Sequence, residues 1–368
     1  MFIASKQVLK DWYIANATSW LFRYSNINTN AKKGCKDILD SLLANFLKFS
    51  RSNTCVWHNV CSLCIEKRAI HIIYNNANIY KTKYYMDHIH DLSFGGERPL
   101  FGAHDVTLEN ISVTDGESAI KCCHDIECHD SKFYGKYPWW HVDRSLITSC
   151  YFASGSRSAI WYSNDMTMRD CVIDGPKFFR EMKNLSLENV TINDADETFW
   201  HVDDVKIKNV TLHEGTYPFM HCSRIRVDGL TSDTKYIFQY CNDVEIHNAH
   251  ITTKDSFWEC DNVTVYDSDI DGEYIGWHSK NLHFVRCHLS GEQILCYADN
   301  VILEDCTIDA ACDRMFEDCT NLNVSVKGTI TNIKNPISGK IVADEIGSVT
   351  YDEFAKGHDT EICSRKAR

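Results

Sequence analysis

The side chains best suited to chemistry recur on successive copies of a short repeat, at spacings of 19 to 21 residues. They are acids, bases, cations and tryptophans: Lys121, Trp140, His141, Trp161, Tyr162, Arg180, Glu181, Trp200 and His201. Histidine, tyrosine and glutamate can give or take protons during a reaction. The pattern therefore predicts a catalytic acid/base set of Glu181, His141, Tyr162 and His201, with Glu181 as the best candidate for acid or base.

The cations and tryptophans in the same run predict ligand contacts. Lys121 and Arg180 lie three repeats apart, about 14 Å if the repeats stack as strands do, and would frame the anion of a sugar acid. Trp140, Trp161 and Trp200 would supply flat surfaces for an oligosaccharide. The acidic residues follow no metal-ligand spacing, so we predict no metal ion and no cofactor.

The repeat runs from about residue 94 to about residue 350. Its register is a position that is apolar in every copy but one: Val106, Ile126, Ser145, Met166, Leu185, Val205, Ile225, Val244, Val263, Leu282, Val301 and Leu322. Each gap between neighbours is 19, 20 or 21 residues. A repeat this short, kept over so many copies, is typical of a solenoid in which each copy forms one coil.

The apolar pattern inside each copy indicates strands. Apolar residues fall two, five and seven residues after the register position, as in Val205, Ile207, Val210 and Leu212. This pattern predicts two short strands joined by a bend, with a third extended segment after a further turn. Asn or Asp at the bend predicts left-handed turn residues. The fold we expect is all-β: a right-handed, single-stranded parallel β-helix of about twelve coils of 19–21 residues.

Equivalent positions of a parallel β-helix stack into columns, and three neighbouring columns precede the register position. The first is almost uniformly apolar and predicts an interior aromatic stack. The second contains the tryptophans with Lys121 and Arg180, and the pattern leaves open whether it faces in or out. From His141 onward the third column holds His, Tyr, Glu or Asp in every copy. It predicts an exposed functional stripe, or else rings that only pack against one another.

Charge divides the chain in two. Residues 1–85 carry 12 Lys and Arg against 4 Asp and Glu, whereas residues 86–368 carry 26 against 47. We predict that residues 1–85 are a poorly ordered or weakly helical extension, with one amphipathic helix from Asp37 to Phe49. The alternative is upstream sequence read from a misplaced start, with Met86 as the true one. We expect the β-helix over residues 86–350 and a tail over residues 351–368.

The chain has 18 cysteines, many at two fixed positions of the repeat. We expect these to fill interior slots as reduced thiols: Cys123, Cys222, Cys241, Cys260 and Cys319 in one column, and Cys150, Cys171, Cys287 and Cys306 in another. Near the start, Cys55, Cys61, Cys64 and His58 lack the second pair typical of zinc sites. Reduced thiols and the lack of a secretory signal predict a cytoplasmic protein. We expect no membrane association and, because the repeat is acidic, no nucleic-acid partner.

Several longer motifs are distinctive. Residues 94–102 read FGGERPLFG, residues 115–121 read DGESAIK, residues 137–141 read YPWWH, and residues 335–344 read NPISGKIVAD. With these motifs, about residues 88–350 resemble a bacterial family known as domain of unknown function 3737, placed among the pectin-lyase-like β-helices. The resemblance implies the fold. It carries no catalytic residue over, because that family has no established activity.

Two functions from different classes remain. The first is carbohydrate binding with polysaccharide lyase or glycoside hydrolase chemistry, on an oligosaccharide or a sugar acid. The second is a non-catalytic scaffold that binds a glycan, a metabolite or a protein along its face. A perturbed Glu or His in a closed pocket would favour the first, and an open flat stripe would favour the second.

Overall fold

The computed structural model describes residues 88–309 and 312–366. All regular elements in these ranges are β-strands. They are β1 (His88–His90), β2 (Ser93–Glu97), β3 (His104–Glu109), β4 (Ser112–Glu117), β5 (Ile120–His129), β6 (Lys132–Phe133), β7 (Trp139–Thr148), β8 (Tyr151–Phe152), β9 (Asn164–Arg169), β10 (Val172–Ile173), β11 (Arg180–Glu188), β12 (Thr191–Ile192), β13 (Trp200–Leu212), β14 (Ser223–Ser232), β15 (Asn242–Lys254), β16 (Asp261–Tyr266), β17 (Asp269–Glu273), β18 (Lys280–Val285), β19 (His288–Ser290), β20 (Asp299–Ile308), β21 (Leu322–Lys327), β22 (Thr329–Lys334), β23 (Ser338–Ala343), β24 (Glu345–Thr350) and β25 (Asp359–Ser364).

One continuous parallel ladder runs through the described part of the chain. Its strands are β1, β3, β5, β7, β9, β11, β13, β14, β15, β16, β18, β20, β21, β23 and β25. Adjacent strands pair in register, so that Leu185 lies opposite Val205 and Val205 opposite Ile225. The chain makes about 14 turns of a β-solenoid, which confirms the predicted all-β parallel solenoid. Because β25 pairs with β23, the stack continues past residue 350, where the sequence placed its end.

A second ladder follows the bend in each coil. It contains the short strands β2, β4, β6, β8, β10 and β12, the later parts of β13, β14 and β15, and then β17, β19 and the end of β20. The third extended segment expected from the sequence is less regular. In many coils it contributes isolated bridges, such as Trp200 with Met220 and Met220 with Gln239. Two sides of the coil are therefore regular sheet, and the third consists largely of turns.

The aromatic column lies inside the solenoid, as predicted. Its fully buried rings stack with centroids 4.3 to 5.4 Å apart, in the order Phe179, Phe199, Phe219, Phe238 and Phe257. Burying one such ring stabilises a fold by about 1.5–3 kcal/mol. Each of these residues has a positive φ, which bulky side chains rarely adopt. Packing against rings above and below offsets that strain.

The bend after the first strand is a column of left-handed residues. Asn189, Asn209 and Asn248 have φ values of 54°, 51° and 55°, and Asn209 Nδ2 donates to Asn189 Oδ1 at 3.3 Å. Gly229, with φ 83°, occupies the coil between Asn209 and Asn248, and a Cβ there would lie 2.8 Å from Asn209 Oδ1. Asn248 therefore bonds Asp228 Oδ1 instead, at 2.8 Å. The predicted asparagine turn is confirmed, with glycine replacing asparagine in one coil.

Cysteine and serine share an interior column that hydrogen-bonds to the backbone. Its thiols donate to carbonyls of the aromatic column at 2.8–2.9 Å: Cys222 to Phe199, Cys241 to Phe219 and Cys260 to Phe238. In the next coil Ser279 makes the same bond to Phe257. The cysteines of the two predicted columns are all buried and free, so the expected interior thiols are confirmed. They also satisfy backbone groups that would otherwise lack a partner.

Some sequence predictions lie outside the described residues. They concern the extension over residues 1–85 with its helix from Asp37 to Phe49, the start at Met86, and the group Cys55, Cys61, Cys64 and His58.

Candidate functional site

A stripe of polar and aromatic side chains runs along the third side of the solenoid. It consists of His141, Tyr162, Glu181, His201, His221, Tyr240, Glu259, His278, Tyr297 and Asp318, one from each coil, and is called the stripe below. Its members are exposed or half-buried, and all have φ between 49° and 58°. The N–H of most members donates to a carbonyl in the next coil, as His201 does to Met220 at 3.0 Å. The left-handed backbone turns each side chain outward.

Rings in the stripe stack on one another along the solenoid axis. Centroids are 5.0 Å apart for His141 and Tyr162 and for His201 and His221, and 4.8 Å apart for His221 and Tyr240. Their planes differ by 17° or less. Each of these rings therefore has at least one face covered by a neighbour, and ring edges with their nitrogen and hydroxyl groups face solvent. A ligand would meet a line of hydrogen-bonding groups.

A second row, called the Trp row, lies one residue before the stripe and is half-buried: Lys121, Trp140, Trp161, Arg180 and Trp200. The Lys121 Nζ lies 5.2 Å from the centroid of the Trp140 ring. Trp140 stacks on Trp161 at 5.5 Å, and the Arg180 guanidinium lies between Trp161 and Trp200, at 5.0 and 4.3 Å. Because these ring faces are covered, the predicted flat sugar platforms at Trp140 and Trp161 are not open to a ligand.

Polar groups of the Trp row hydrogen-bond to the backbone of the next coil. The acceptors are carbonyls of left-handed corner residues: Trp140 Nε1 bonds Ser158 at 2.9 Å, Trp161 Nε1 bonds Lys177 at 2.7 Å, Arg180 bonds Glu197 at 2.9 and 3.1 Å, and Trp200 Nε1 bonds Tyr217 at 2.9 Å. Gln239 repeats the bond to Asp255 at 3.1 Å. The row therefore fastens each coil to the next, and it lies between core and solvent.

Arg180 is engaged in an ion pair that the column pattern did not reveal. Its Nη2 lies 2.5 Å from Glu197 Oε2, which also accepts from Lys177 Nζ at 2.8 Å. Burial would raise the pKa of Glu197, but the bonds from Lys177 and Arg180 outweigh it and lower that pKa. Glu197 lies 17 residues after Arg180, at the corner of the next coil, so a comparison of neighbouring columns misses it. The Arg180 side chain is only 12% exposed.

The predicted site residues thus divide into two groups. His141, Tyr162, Glu181 and His201 face solvent on successive coils, whereas the Trp row with Arg180 lies beneath them. Glu181 makes no side-chain hydrogen bond or ion pair within the described part of the chain. The six members of the stripe beyond His201 extend the same surface over six more coils. Only their position in the repeat identifies them in the sequence.

The pKa of His221, at the centre of the stripe, is lowered in the folded protein. Burial lowers the pKa of His221, and the neighbouring charge of His201 lowers it further. His221 is therefore neutral at neutral pH and offers ring nitrogens as both donor and acceptor.

The stripe ends in ion pairs at its C-terminal side. Lys356 Nζ lies 2.6 Å from Asp318 Oδ2, and Lys334 bridges Glu317 and Asp352 at 2.8 and 3.3 Å. The segment after β24 supplies Asp352 and Lys356, so it crosses the last coil of the stripe. The accessible stripe therefore runs from His141 to about Tyr297.

The surface around the stripe is open. A shallow depression, lined by Trp258, Glu259, His278 and Lys280 among others, opens to solvent. Within residues 88–309 and 312–366, no group of three or more His, Cys, Asp or Glu side chains is arranged to hold a metal ion. The same residues contain no helix long and apolar enough to cross a membrane.

Comparison with known proteins gives one match. The model of a family described as "Protein of unknown function (DUF3737)" matches residues 87–363. No curated protein and no solved structure matches the chain. The family match covers most of the chain and almost the whole described solenoid.

Proposed function

Because the chain belongs to the DUF3737 family, whose function is unknown, we propose from its geometry that it is a non-catalytic protein that binds glycan chains along the stripe. The observation that carries this proposal is the continuous, solvent-facing line of imidazole, phenol and carboxylate groups, one per coil. Extended polymers suit such a surface, because successive units of the ligand can meet successive coils.

Hydrogen bonding would be the mode of recognition. Ring faces in the stripe and in the Trp row cover one another, so stacking on a sugar ring has little open surface. Imidazole edges and tyrosine hydroxyls both donate and accept, and carboxylates accept, which matches the hydroxyl groups of a glycan. The Trp row supports the stripe from beneath.

The arrangement of carboxylates supports binding without cleavage. Glycoside hydrolases place two carboxyl groups about 5–9.5 Å apart across the bond that they break. Glu181 and Glu259 are the exposed stripe carboxylates, and they lie four coils apart, about 19 Å. Arg180, the candidate for an anion contact, is held by Glu197. A carbohydrate-cleaving activity would need groups that converge on one bond, and the stripe carboxylates are spread along a line. Asp261 lines the same depression as Glu259, so the test below also measures cleavage.

The test is a binding screen of soluble polysaccharides by affinity electrophoresis, followed by calorimetry. We expect at least one polysaccharide to bind and Tyr162→Ala to weaken that binding at least fivefold. Tyr134→Ala is the matched control, because Tyr134 has the same 42% exposure as Tyr162 but lies outside the stripe. Binding by no polysaccharide, or equal losses in the two variants, contradicts the proposal. New reducing ends during incubation would contradict its non-catalytic part.

A further inference from the structure

The exposed face around the stripe is negatively charged. Two residues after each stripe member lies a second outward column, which between residues 183 and 299 reads Lys183, Asp203, Ser223, Asn242, Asp261, Lys280 and Asp299. From Glu181 to Asp299, the stripe and this column together contain five carboxylates and two ammonium groups. A ligand that lies along the stripe would therefore meet an excess of negative charge.

The two cations of the Trp row do not offset this charge. Arg180 lies between two tryptophan rings and is bonded to Glu197. Lys121 lies over Trp140 at the N-terminal end of the Trp row. At the centre of the stripe, the nearby cations are Lys183 and Lys280 of the flanking column and Arg224, which pairs with Asp203. The five carboxylates still outnumber these three cations, so an acidic sugar would meet net repulsion.

The stripe carboxylates themselves are free to accept hydrogen bonds. Within the described residues, Glu181 has no side-chain partner, and Glu259 accepts only the Trp258 indole N–H, at 3.3 Å. In the flanking column, a hydrogen bond from Ser223 lowers the pKa of Asp203, and one from Thr320 lowers the pKa of Asp299. Asp203 and Asp299 therefore stay ionised at neutral pH.

We infer that the stripe selects uncharged glycans and excludes polyuronates, with Glu181 and Glu259 as the residues that set this specificity. This inference rests on the proposed function and narrows it. An ionised carboxylate accepts strong hydrogen bonds from hydroxyl groups, and it repels the carboxylate of a uronic acid. The expected ligand is therefore a neutral polymer and not the sugar acid that Lys121 and Arg180 predicted from the sequence.

The experiment compares neutral and acidic polysaccharides on one protein. The probes are hydroxyethyl cellulose, xyloglucan and galactomannan as neutral polymers, and polygalacturonate and alginate as acidic ones, at low and at physiological salt. We expect the wild type to bind at least one neutral polymer at least tenfold more tightly than either acidic polymer. We expect this preference to be larger at low salt, because salt screens repulsion.

The variants assign the preference to the two glutamates. Glu181→Gln/Glu259→Gln should reduce the ratio of neutral to acidic affinity at least fivefold, because the amides keep the shape and remove the repulsion. Glu127→Gln/Glu304→Gln removes the same charge from exposed positions outside the two columns and should leave the ratio unchanged. Equal binding of acidic and neutral polymers by the wild type, or equal effects of the two double variants, overturns the inference but not the proposed function. Binding of no polymer overturns both.

Discussion

At the scale of single residues, the side chains of the site have roles that depend on which way the backbone turns them. Neighbouring residues of one coil, such as Arg180 and Glu181, lie on different levels: the guanidinium fills a slot between tryptophans, and the carboxylate faces water. The positive φ of Glu181 separates them. Residue type alone therefore could not predict whether a charged side chain stabilises the fold or is available to a ligand.

Substitutions at Arg180 should test its structural role. Arg180→Met, which matches Met220 in the same column, removes both the bond to the Glu197 carbonyl and the ion pair. We expect it to lower the free energy of unfolding in urea by about 1–3 kcal/mol, because the Glu197 carbonyl loses its donor and the Glu197 carboxylate keeps only Lys177. Arg180→Gln should cost less, since Gln239 shows that an amide can make the carbonyl bond. Equal losses would mean that the carbonyl bond contributes nothing.

His221 should make stability depend on pH. Its pKa is lowered in the folded state, so below the ordinary histidine pKa of about 6.5 the unfolded chain binds a proton that the folded chain does not. This contribution to stability is complete above about pH 6.5 and is lost as pH falls through that value towards the lowered pKa. His221→Tyr keeps a ring in the stack and should lessen the fall in melting temperature between pH 7.5 and pH 5.5. His250→Tyr, outside the stripe, should not lessen it; the same fall in both variants would contradict the assignment.

At the scale of the coil, the same hydrogen bonds from side chains to backbone carbonyls recur, and several types of side chain can donate them. A thiol or a serine hydroxyl bonds the carbonyl of the aromatic column, and an indole, guanidinium or amide bonds the corner carbonyl. The columns therefore tolerate exchange of residue type if a donor remains. Loss of the donor leaves buried backbone groups unpaired, which is costly.

The cysteine column offers a direct test of this rule. Cys260 Sγ donates to Phe238 and accepts from the Cys241 N–H at 3.4 Å. Cys260→Ser should change the free energy of unfolding little, since Ser279 already makes these bonds in the next coil. Cys260→Ala leaves both backbone groups unpaired and should cost about 1–3 kcal/mol. Urea unfolding of the two variants decides, and an alanine variant as stable as the serine variant would count against the bonding role.

Much of the coil was predictable from the sequence, because periodic burial leaves a periodic pattern. The register position, the asparagine bend and the aromatic column all follow from it. Contacts between a side chain and the corner of the next coil were not predictable, since Arg180 and Glu197 share no column. The register after Leu322, and with it the strand β25 beyond residue 350, was missed because the spacing shortens: Leu322 pairs with Gly339, only 17 residues later. A fixed period of about 20 residues loses the register there.

At the scale of the whole molecule, the described solenoid contains its own core. The buried apolar residues run without interruption from Leu108 to Ala343, and the first and last strands of the main ladder are β1 and β25. Bonds between coils link residues about 20 positions apart, so each coil depends on its two neighbours. Stability of such a stack is close to a sum over adjacent coils.

Deleting residues 1–85 should therefore leave a protein that still melts cooperatively. We expect circular dichroism to show the β-sheet signal retained and a single thermal transition. The full-length chain, measured at the same concentration, is the control. Aggregation of the shortened chain, or loss of most of the β signal, would show instead that these residues are needed to cap the first coil.

The in-register stacking of coils places the stripe side chains at a constant interval along the solenoid axis. With one stripe member per coil, the binding groups lie about 4.8 Å apart. The ion pair between Lys356 and Asp318 ends the accessible stripe at its C-terminal side. Insertion or removal of one whole coil would add or remove one binding group and leave the spacing of the others unchanged. Affinity for an oligosaccharide should accordingly rise with its degree of polymerisation and level off when the oligosaccharide is long enough to reach the last accessible stripe member.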